Sequence, residues 1–366
     1  MGSGQRRGRR VARDIAISFL ITVVLLAAAE GVARLLHPPL GYFMVPTRDN
    51  CLQRSASLGV EFRADCATTW SDFLLTGKGQ TTFRTNRLGL RDDEIEDDGA
   101  ARILSLGDSC TWGWQVGQND AYPQALQRLL DAKVGPGRYR VINAGVPGYT
   151  TYQGLVHLRE RSLSLNPAIV IIAYGFNDSL PNGDVEEDLD EQRRTLLLVK
   201  ADDFLLTHST LWRALRTVIR DGVPSRKPSS SSERAPGGPP VEAPAARPAP
   251  ANAPAGPSTR KPLRVPPEKF VRNLKEMITL VREHGARPLL ISFMGEPGGK
   301  DPYGRAIGSV ATETNTPLLV YYGPRIDIVH PSADGYELLA TRILDRLQAE
   351  GYVGSVGPDG DKRPQG

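Results

Sequence analysis

The chain has 366 residues, 40% of them hydrophobic, with 45 Lys and Arg against 41 Asp and Glu for a net charge of +4. Five arginines (Arg6, Arg7, Arg9, Arg10, Arg13) precede the first acid, Asp14, and setting them aside leaves 40 bases against 41 acids. The body is therefore neutral and gives no footing for a nucleic-acid partner, while the length allows two domains or one domain with additions.

The first element is apolar. Behind a basic N-terminus (1–13), fifteen residues from Ile15 to Ala29 carry no charge, and apolar character resumes after Glu30 with Val32, Leu35 and Leu36. A basic flank before a segment near the ~20 residues that span a bilayer reads as a transmembrane signal anchor over 14–36. Ala27 to Ala29 also fits a signal-peptidase site, but the apolar continuation to Leu36 and a Glu30–Arg34 pair at i,i+4 favour retention. The positive-inside rule then puts the body outside the cytoplasm, periplasmic or extracellular. In an oxidising compartment Cys51 and Cys66, which enclose fourteen residues, can close a disulfide worth ~3 kcal/mol. Cys110 is left as a small buried residue, and no Cys and His spacing suggests a zinc site.

Residues 37–98 are rich in turns with short strand-like pieces and read as a neck and edge layer, ending in TNRLGLR (Thr85 to Arg91). From 99 the pattern is regular. Arg102 to Gly107 is an apolar strand, Tyr122 to Ala132 a helix, Tyr139 to Asn143 a strand, and Ala144 to Tyr149 a glycine turn. Gln153 to Leu165 follows as a helix and Ala168 to Ala173 as a central parallel strand, apolar on both faces. Residues 185–220 read as helical, with Leu205, Leu206, Leu211, Leu215 and Val218 as the buried face. Residues 223–267 are dominated by Pro, Ala, Ser and Gly and cannot bury enough surface to fold, so they read as a disordered insertion, removable over 226–262 and remote from the catalytic loops. The core resumes over 268–350. Phe270, Leu274, Met277, Ile278 and Val281 form a helical stripe, Pro288 to Phe293 and Pro317 to Tyr321 are strands, and Ser332 to Ala349 is the last helix. The tail, 351–366, reads as disordered. Alternating strands and helices make an α/β doubly wound sheet of about five parallel strands, with all carboxyl ends on one edge.

The loops at that edge contain Ser109, Gly148, Asn177 and the segment Asp327 to His330. A serine after a glycine turn is commonly a helix N-cap, so its partners decide its role. A nucleophilic serine needs a base, a carboxylate that orients the base, and oxyanion donors. Of five histidines only His330 stands in such a loop, three residues after Asp327, which by itself would equally serve as a turn acceptor. Gly148 allows a close main-chain approach, Asn177 offers an amide, and the Ser109 N–H is a third donor. Trp112, Trp114, Tyr149 and Tyr152 flank these segments and either stack on sugar or belong to the core.

In order along the chain, Gly107-Asp108-Ser109, VINAGVPG ending at Gly148, Gly175-Phe176-Asn177-Asp178 and Asp327-Ile328-Val329-His330 resemble the four sequence blocks of the SGNH/GDSL hydrolase superfamily. TNRLGLR and GDSCTWGWQVGQNDAYP are similar to its membrane-anchored bacterial members. The resemblance implies a flavodoxin-like three-layer α/β/α sandwich, Ser109 as nucleophile, Asp327 and His330 completing a triad, and Gly148, Asn177 and the Ser109 N–H as the oxyanion hole, with no metal or cofactor. The departures are the proline-rich insertion and Cys110 after the serine. The segment is not the G-x-S-x-G elbow, because Thr111 stands two residues after Ser109. The expected activity is an exported, membrane-anchored serine esterase that hydrolyses O-acyl, short-chain esters on a small molecule, envelope glycan or lipid. The alternatives are an O-acyltransferase acting on an envelope polysaccharide and a catalytically silent glycan-binding scaffold. No protein partner of the insertion is assigned.

Overall fold

The computed structural model describes residues 3–36, 46, 50–71, 80–181, 183–221, 262–295 and 297–354. Of the expected tail (351–366) the part from 355, and of the expected insertion (223–267) the part up to 261, lie outside them.

Helix α1 (Ser3–Leu36) begins the chain, and its stretch Arg13–Leu36 is long and apolar enough to cross a membrane, features that a signal sequence shares. Two antiparallel hairpins follow: β1 (Leu52–Ser55) pairs with β2 (Gly59–Phe62), and β3 (Ala67–Ser71) with β4 (Gln80–Arg84). Cys51 and Cys66 are bonded, with Cα atoms 5.7 Å apart, across the ends of the first hairpin. The hairpins form two small sheets separate from the five-stranded one. They pack through Phe62, Trp70 and Phe83, whose rings lie 5.8, 5.2 and 4.8 Å from that of buried Trp112.

The core alternates β5 (Ala101–Gly107), α2 (Ser109–Trp112), α3 (Tyr122–Lys133), β6 (Tyr139–Gly145), α4 (Thr151–Glu160), β7 (Pro167–Ala173), α5 (Val185–Arg194), α6 (Leu196–His208), α7 (Thr210–Asp221), α8 (Pro267–Glu283), β8 (Arg287–Ser292), α9 (Pro302–Glu313), β9 (Leu318–Val320) and α10 (Ala333–Ala349). The five core strands are parallel in the order β6-β5-β7-β8-β9, with a crossover between β6 and β7, so the ends of β5 and β7 lie side by side at a topological switch point. Because side chains alternate across a strand, both faces of the sheet are apolar. Leu104, Leu106, Val170 and Ile172 face α4, α8 and α9, whereas Ile103, Ile169 and Ile171 face α3 and α10. This is the expected three-layer sandwich.

Several boundaries depart from expectation. The helix expected to reach Leu165 ends at Glu160, and a single 3-10 turn (Ser162–Leu165) closes on Asn166 at φ 48°. Helix α9 was not foreseen. The region 185–220 is three helices, and Leu205, Leu215 and Val218, expected to be buried, are 39%, 46% and 39% exposed. The described chain resumes at Pro262, inside the segment assigned to disorder. There the Arg264 and Val265 N–H groups bond the carbonyls of Leu180 and Asp178, and Val265 is 1% exposed.

The neck also reaches the catalytic edge. The guanidinium of fully buried Arg91 lies 4.4 Å from the Trp112 ring centre and donates to the carbonyls of Trp112, Gly113, Val116 and Gly117. Losing that cation leaves four carbonyls in the interior without their donor, which costs far more than the bonds contribute when made. Arg91→Met should lower the unfolding free energy by ~3 kcal/mol or more, read as an earlier urea midpoint at unchanged slope; an unchanged midpoint would contradict this role.

Candidate active site

Strand β5 ends at Gly107, where a side chain would run into Thr111 and the Ala173 carbonyl. The next residue, Asp108, caps α2 by accepting the Cys110 N–H at 2.9 Å. That makes Ser109 the first residue of a one-turn helix, which closes on Gly113 at φ 96°. Across the sheet edge, the loop between β9 and α10 folds back so that the Ile326 N–H bonds the His330 carbonyl at 2.9 Å.

The loop brings His330 Nε2 within 2.8 Å of Ser109 Oγ and His330 Nδ1 within 2.7 Å of Asp327 Oδ2. Asp327 Oδ1 accepts the Val329 and His330 N–H groups at 2.7 and 2.8 Å. Burial disfavours the Asp327 charge, but the bonds from His330 and Val329 outweigh it and hold the carboxyl below its ordinary value. A carboxylate only accepts, so Nδ1 carries the imidazole proton and Nε2 presents its lone pair to the Ser109 hydroxyl. The arrangement can deprotonate the serine and stabilise the resulting imidazolium. The Trp114 ring, 5.8 Å from the imidazole, covers it, and the free thiol Cys110 lies beneath, its Sγ 3.9 Å from the Val329 carbonyl.

The other two expected residues converge on the same place. Gly148 sits at φ 79°, and its carbonyl accepts Arg264 Nη1 at 2.8 Å. Asn177 Nδ2 donates to Asp108 Oδ2 and to the Tyr149 carbonyl, both at 3.1 Å. Both amide hydrogens are thus engaged, and donation to a substrate oxygen requires one of those bonds to be shared. Ser109, Gly148, Asn177 and His330 open on a pocket of about 480 Å³, walled by apolar Leu58, Val60, Phe176 and Leu189 and by polar Gln153, Asp188 and Arg264. Of the flanking aromatics, Trp114 and Tyr149 line this pocket, whereas Trp112 is core. Among the described residues no group of His, Cys, Asp or Glu is arranged to hold a metal ion.

Sequence reasoning missed the supports. Arg264 was placed in the disordered insertion, two residues past its removable stretch, yet it touches Gly148 and also reaches Gln153 Oε1 at 3.4 Å, so the segment joins the site at its C-terminal end. Its one signal was an arginine between Leu263 and Val265 where apolar residues return. Asp178, which follows Asn177 in the chain, and Asp108, which accepts its amide, are both buried. Asp178 accepts the Thr151 N–H and hydroxyl, and burial nevertheless pushes its carboxyl up to about 6. Burial pushes Asp108 up to about 7, with the Cys110 N–H opposing and the nearby Asp178 charge adding to the rise.

A carboxyl raised on folding contributes stability that is full below its ordinary value of 3.8 and is lost as pH rises through about 7. Asp108→Asn keeps the shape and an acceptor for the Cys110 N–H, turns an amide donor toward Asn177 Nδ2, and does not titrate. The variant should therefore lose part of the wild-type gain in Tm on acidification from about pH 7 to pH 5. Parallel Tm profiles for the two proteins would contradict the assignment.

A family model described as GDSL-like Lipase/Acylhydrolase family matches residues 105–338. Thioesterase 1/protease 1/lysophospholipase L1 of Escherichia coli K12 is 30% identical over 102 residues, which cover 28% of this chain and 47% of that protein. The chain thus spans about half the length of the curated relatives it matches. Among solved structures, that of TesA is 19% identical at a TM-score of 0.39, covering 68% of this chain and 98% of its own. The psychrotrophic esterase EstA from Pseudoalteromonas sp. is 15% identical at 0.41, covering 69% and 99%.

Proposed function

The chain belongs to the GDSL-like lipase/acylhydrolase family, and from that premise we propose that it is an exported, membrane-tethered serine esterase working through an acyl-enzyme. The observation that carries this reading is the unbroken line Asp327–His330–Ser109, with spacings of 2.7 and 2.8 Å, at the mouth of a largely apolar pocket.

In the first half-reaction His330 Nε2 takes the hydroxyl proton as Ser109 Oγ attacks the ester carbonyl. Charge develops on the carbonyl oxygen beside Gly148, Asn177 and the Ser109 N–H. The imidazolium, steadied by Asp327, returns the proton to the departing alcohol and leaves an acyl-Ser109. Water, deprotonated by the same nitrogen, then attacks that ester, and Ser109 regains its proton as the acid departs. Leu58, Val60, Phe176 and Leu189 suit an acyl group, and the polar wall suits an alcohol such as a glycan or lipid headgroup.

Retention of α1 as an anchor is supported by the tie between its C-terminal turns and the body. Glu30 accepts the Ser209 hydroxyl and the Thr210 and Leu211 N–H groups at 2.8, 2.8 and 2.9 Å, and pairs with Arg34 at 2.8 Å. Cleavage after Ala29 would leave this docking residue on a free end. The protein should stay with membranes through a carbonate wash and keep its N-terminal arginines; a mature chain starting at Glu30 would overturn the anchor.

Ser109→Ala should abolish labelling by a fluorophosphonate probe and lower ester turnover about a thousandfold or more without shifting Tm, and Asp327→Asn should lower kcat at least a hundredfold with Ser109 intact. Wild-type turnover by Ser109→Ala would end the mechanism.

A further inference from the structure

Helices α6 and α7 are inside out. Seven of the ten exposed large apolar side chains outside α1, among the described residues, lie on these two helices. On α6, Leu197, Leu198, Phe204 and Leu205 recur at i, i+1, i+7 and i+8 on one face and are 83%, 72%, 62% and 39% exposed. On α7, Leu215 and Ile219, at i and i+4, are 46% and 64% exposed. The acids of α6 point the other way. Asp203 makes a two-pronged pair with Arg54 of β1, both contacts at 2.7 Å, and Asp202 accepts Trp212 Nε1 at 2.7 Å and Arg216 Nη2 at 2.9 Å. A helix at a water-facing surface carries its charges outward. This pair turns its acids inward, Asp203 to the domain and Asp202 to α7, and turns outward a stripe that is apolar apart from exposed Lys200 between Leu197 and Phe204, an arrangement that suits the edge of an apolar medium.

The attachment of the pair identifies that medium. The turn between α6 and α7 is bound by α1: Glu30 holds Ser209, Thr210 and Leu211, and Arg34 Nη2 donates to the His208 carbonyl at 3.1 Å. At 1.5 Å per residue, the apolar stretch Arg13–Leu36 is about 36 Å long against a hydrocarbon core of ~30 Å, which puts Glu30 to Leu36 at the outer interface of an anchored chain. The turn is therefore fixed at the depth where headgroups meet acyl chains. An outward apolar stripe, with Trp212 and Arg216 beside it on α7, matches a helix lying in that layer.

We propose that α6 and α7 form a foot that rests on the outer leaflet of the membrane carrying α1, with their apolar stripe in the headgroup–acyl boundary; this rests on the reading of α1 as a retained anchor. The foot bears on the site. Thr195 ends α5 and begins α6, and Val185, Asp188, Leu189 and Gln192 of α5 line the pocket, so seating the foot sets one pocket wall at the lipid surface.

The test uses the full chain in vesicles of phosphatidylethanolamine and phosphatidylglycerol, with an environment-sensitive fluorophore on one introduced cysteine at a time. Cys110 is buried, and Cys51 and Cys66 are bonded to each other, so the native thiols do not compete. Leu20→Cys reports the anchor, Phe204→Cys and Ile219→Cys the foot, and Lys133→Cys the opposite, amino edge of the sheet. The expected result is quenching of Leu20→Cys by deep lipid-attached quenchers, of Phe204→Cys and Ile219→Cys by shallow ones with loss of iodide quenching, and of Lys133→Cys by iodide alone. Foot labels quenched by iodide as strongly as Lys133→Cys, with Leu20→Cys still in lipid, would overturn the foot and leave the anchor standing. Foot labels shielded from both lipid and iodide quenchers would mean that a second copy or another protein covers the stripe, which also overturns it. Iodide quenching of Leu20→Cys would remove the anchor and the foot together.

Discussion

The contact on which the rest of the structure depends is the 2.8 Å bond between Ser109 and His330, which joins residues 221 positions apart in the chain. Nothing local can hold it. It requires β5 and β9 to end on the same edge, and that follows from parallel strands joined by crossovers of one hand. The sheet in turn is stable only because both its faces are covered, by α3 and α10 on one side and α4, α8 and α9 on the other. Each apolar residue of β5 and β7 therefore acts on the site at a distance, by fixing where the strand stops.

Around that contact the interior is unusually polar. Arg91, Asp108 and Asp178 are all buried, and each is held by main-chain, hydroxyl or amide groups, with no salt bridge among the described residues closing on any of them. Such groups are costly to desolvate and are tolerated where they fix loops that have no regular hydrogen bonding of their own. Arg91 gathers the four carbonyls of the loop after α2, Asp108 ties that helix to Asn177, and Asp178 ties the end of β7 to α4. The three loops that meet at the pocket are thereby locked to one another before substrate arrives, and little reorganisation is left for the reaction itself.

The legible parts of the sequence were those with a strong local signature. A run such as Ala168 to Ala173 is apolar at every position, which only a strand covered on both faces tolerates, and four short blocks marked the loops that bring Ser109, Gly148, Asn177 and His330 to one pocket. Periodicity reports which residues share a helix face but not which way that face points, so Leu205, Leu215 and Val218 were given an inward direction that the structure turns outward, whereas Leu206 is buried as expected. Helix α9 escaped notice because Gly304, Ala306 and Gly308 give it little apolar contrast. At Gly308 any side chain would strike Pro297, so close packing has replaced bulk there. Arg91 and Arg264 were missed for another reason. A long guanidinium chooses carbonyl partners that only the folded chain assembles, so even Arg91, the last residue of TNRLGLR, showed nothing of its role.

The central claim is that one serine, made nucleophilic by His330 and Asp327, carries the chemistry. Its most direct test is to trap the native protein with a p-nitrophenyl ester or a fluorophosphonate and locate the adduct by peptide mass spectrometry. A single added acyl or phosphonyl group on Ser109, formed at a rate that falls sharply when His330 is replaced by alanine, is the predicted result. An adduct on any other residue, or one that forms on Ser109 equally fast without the imidazole, would contradict it.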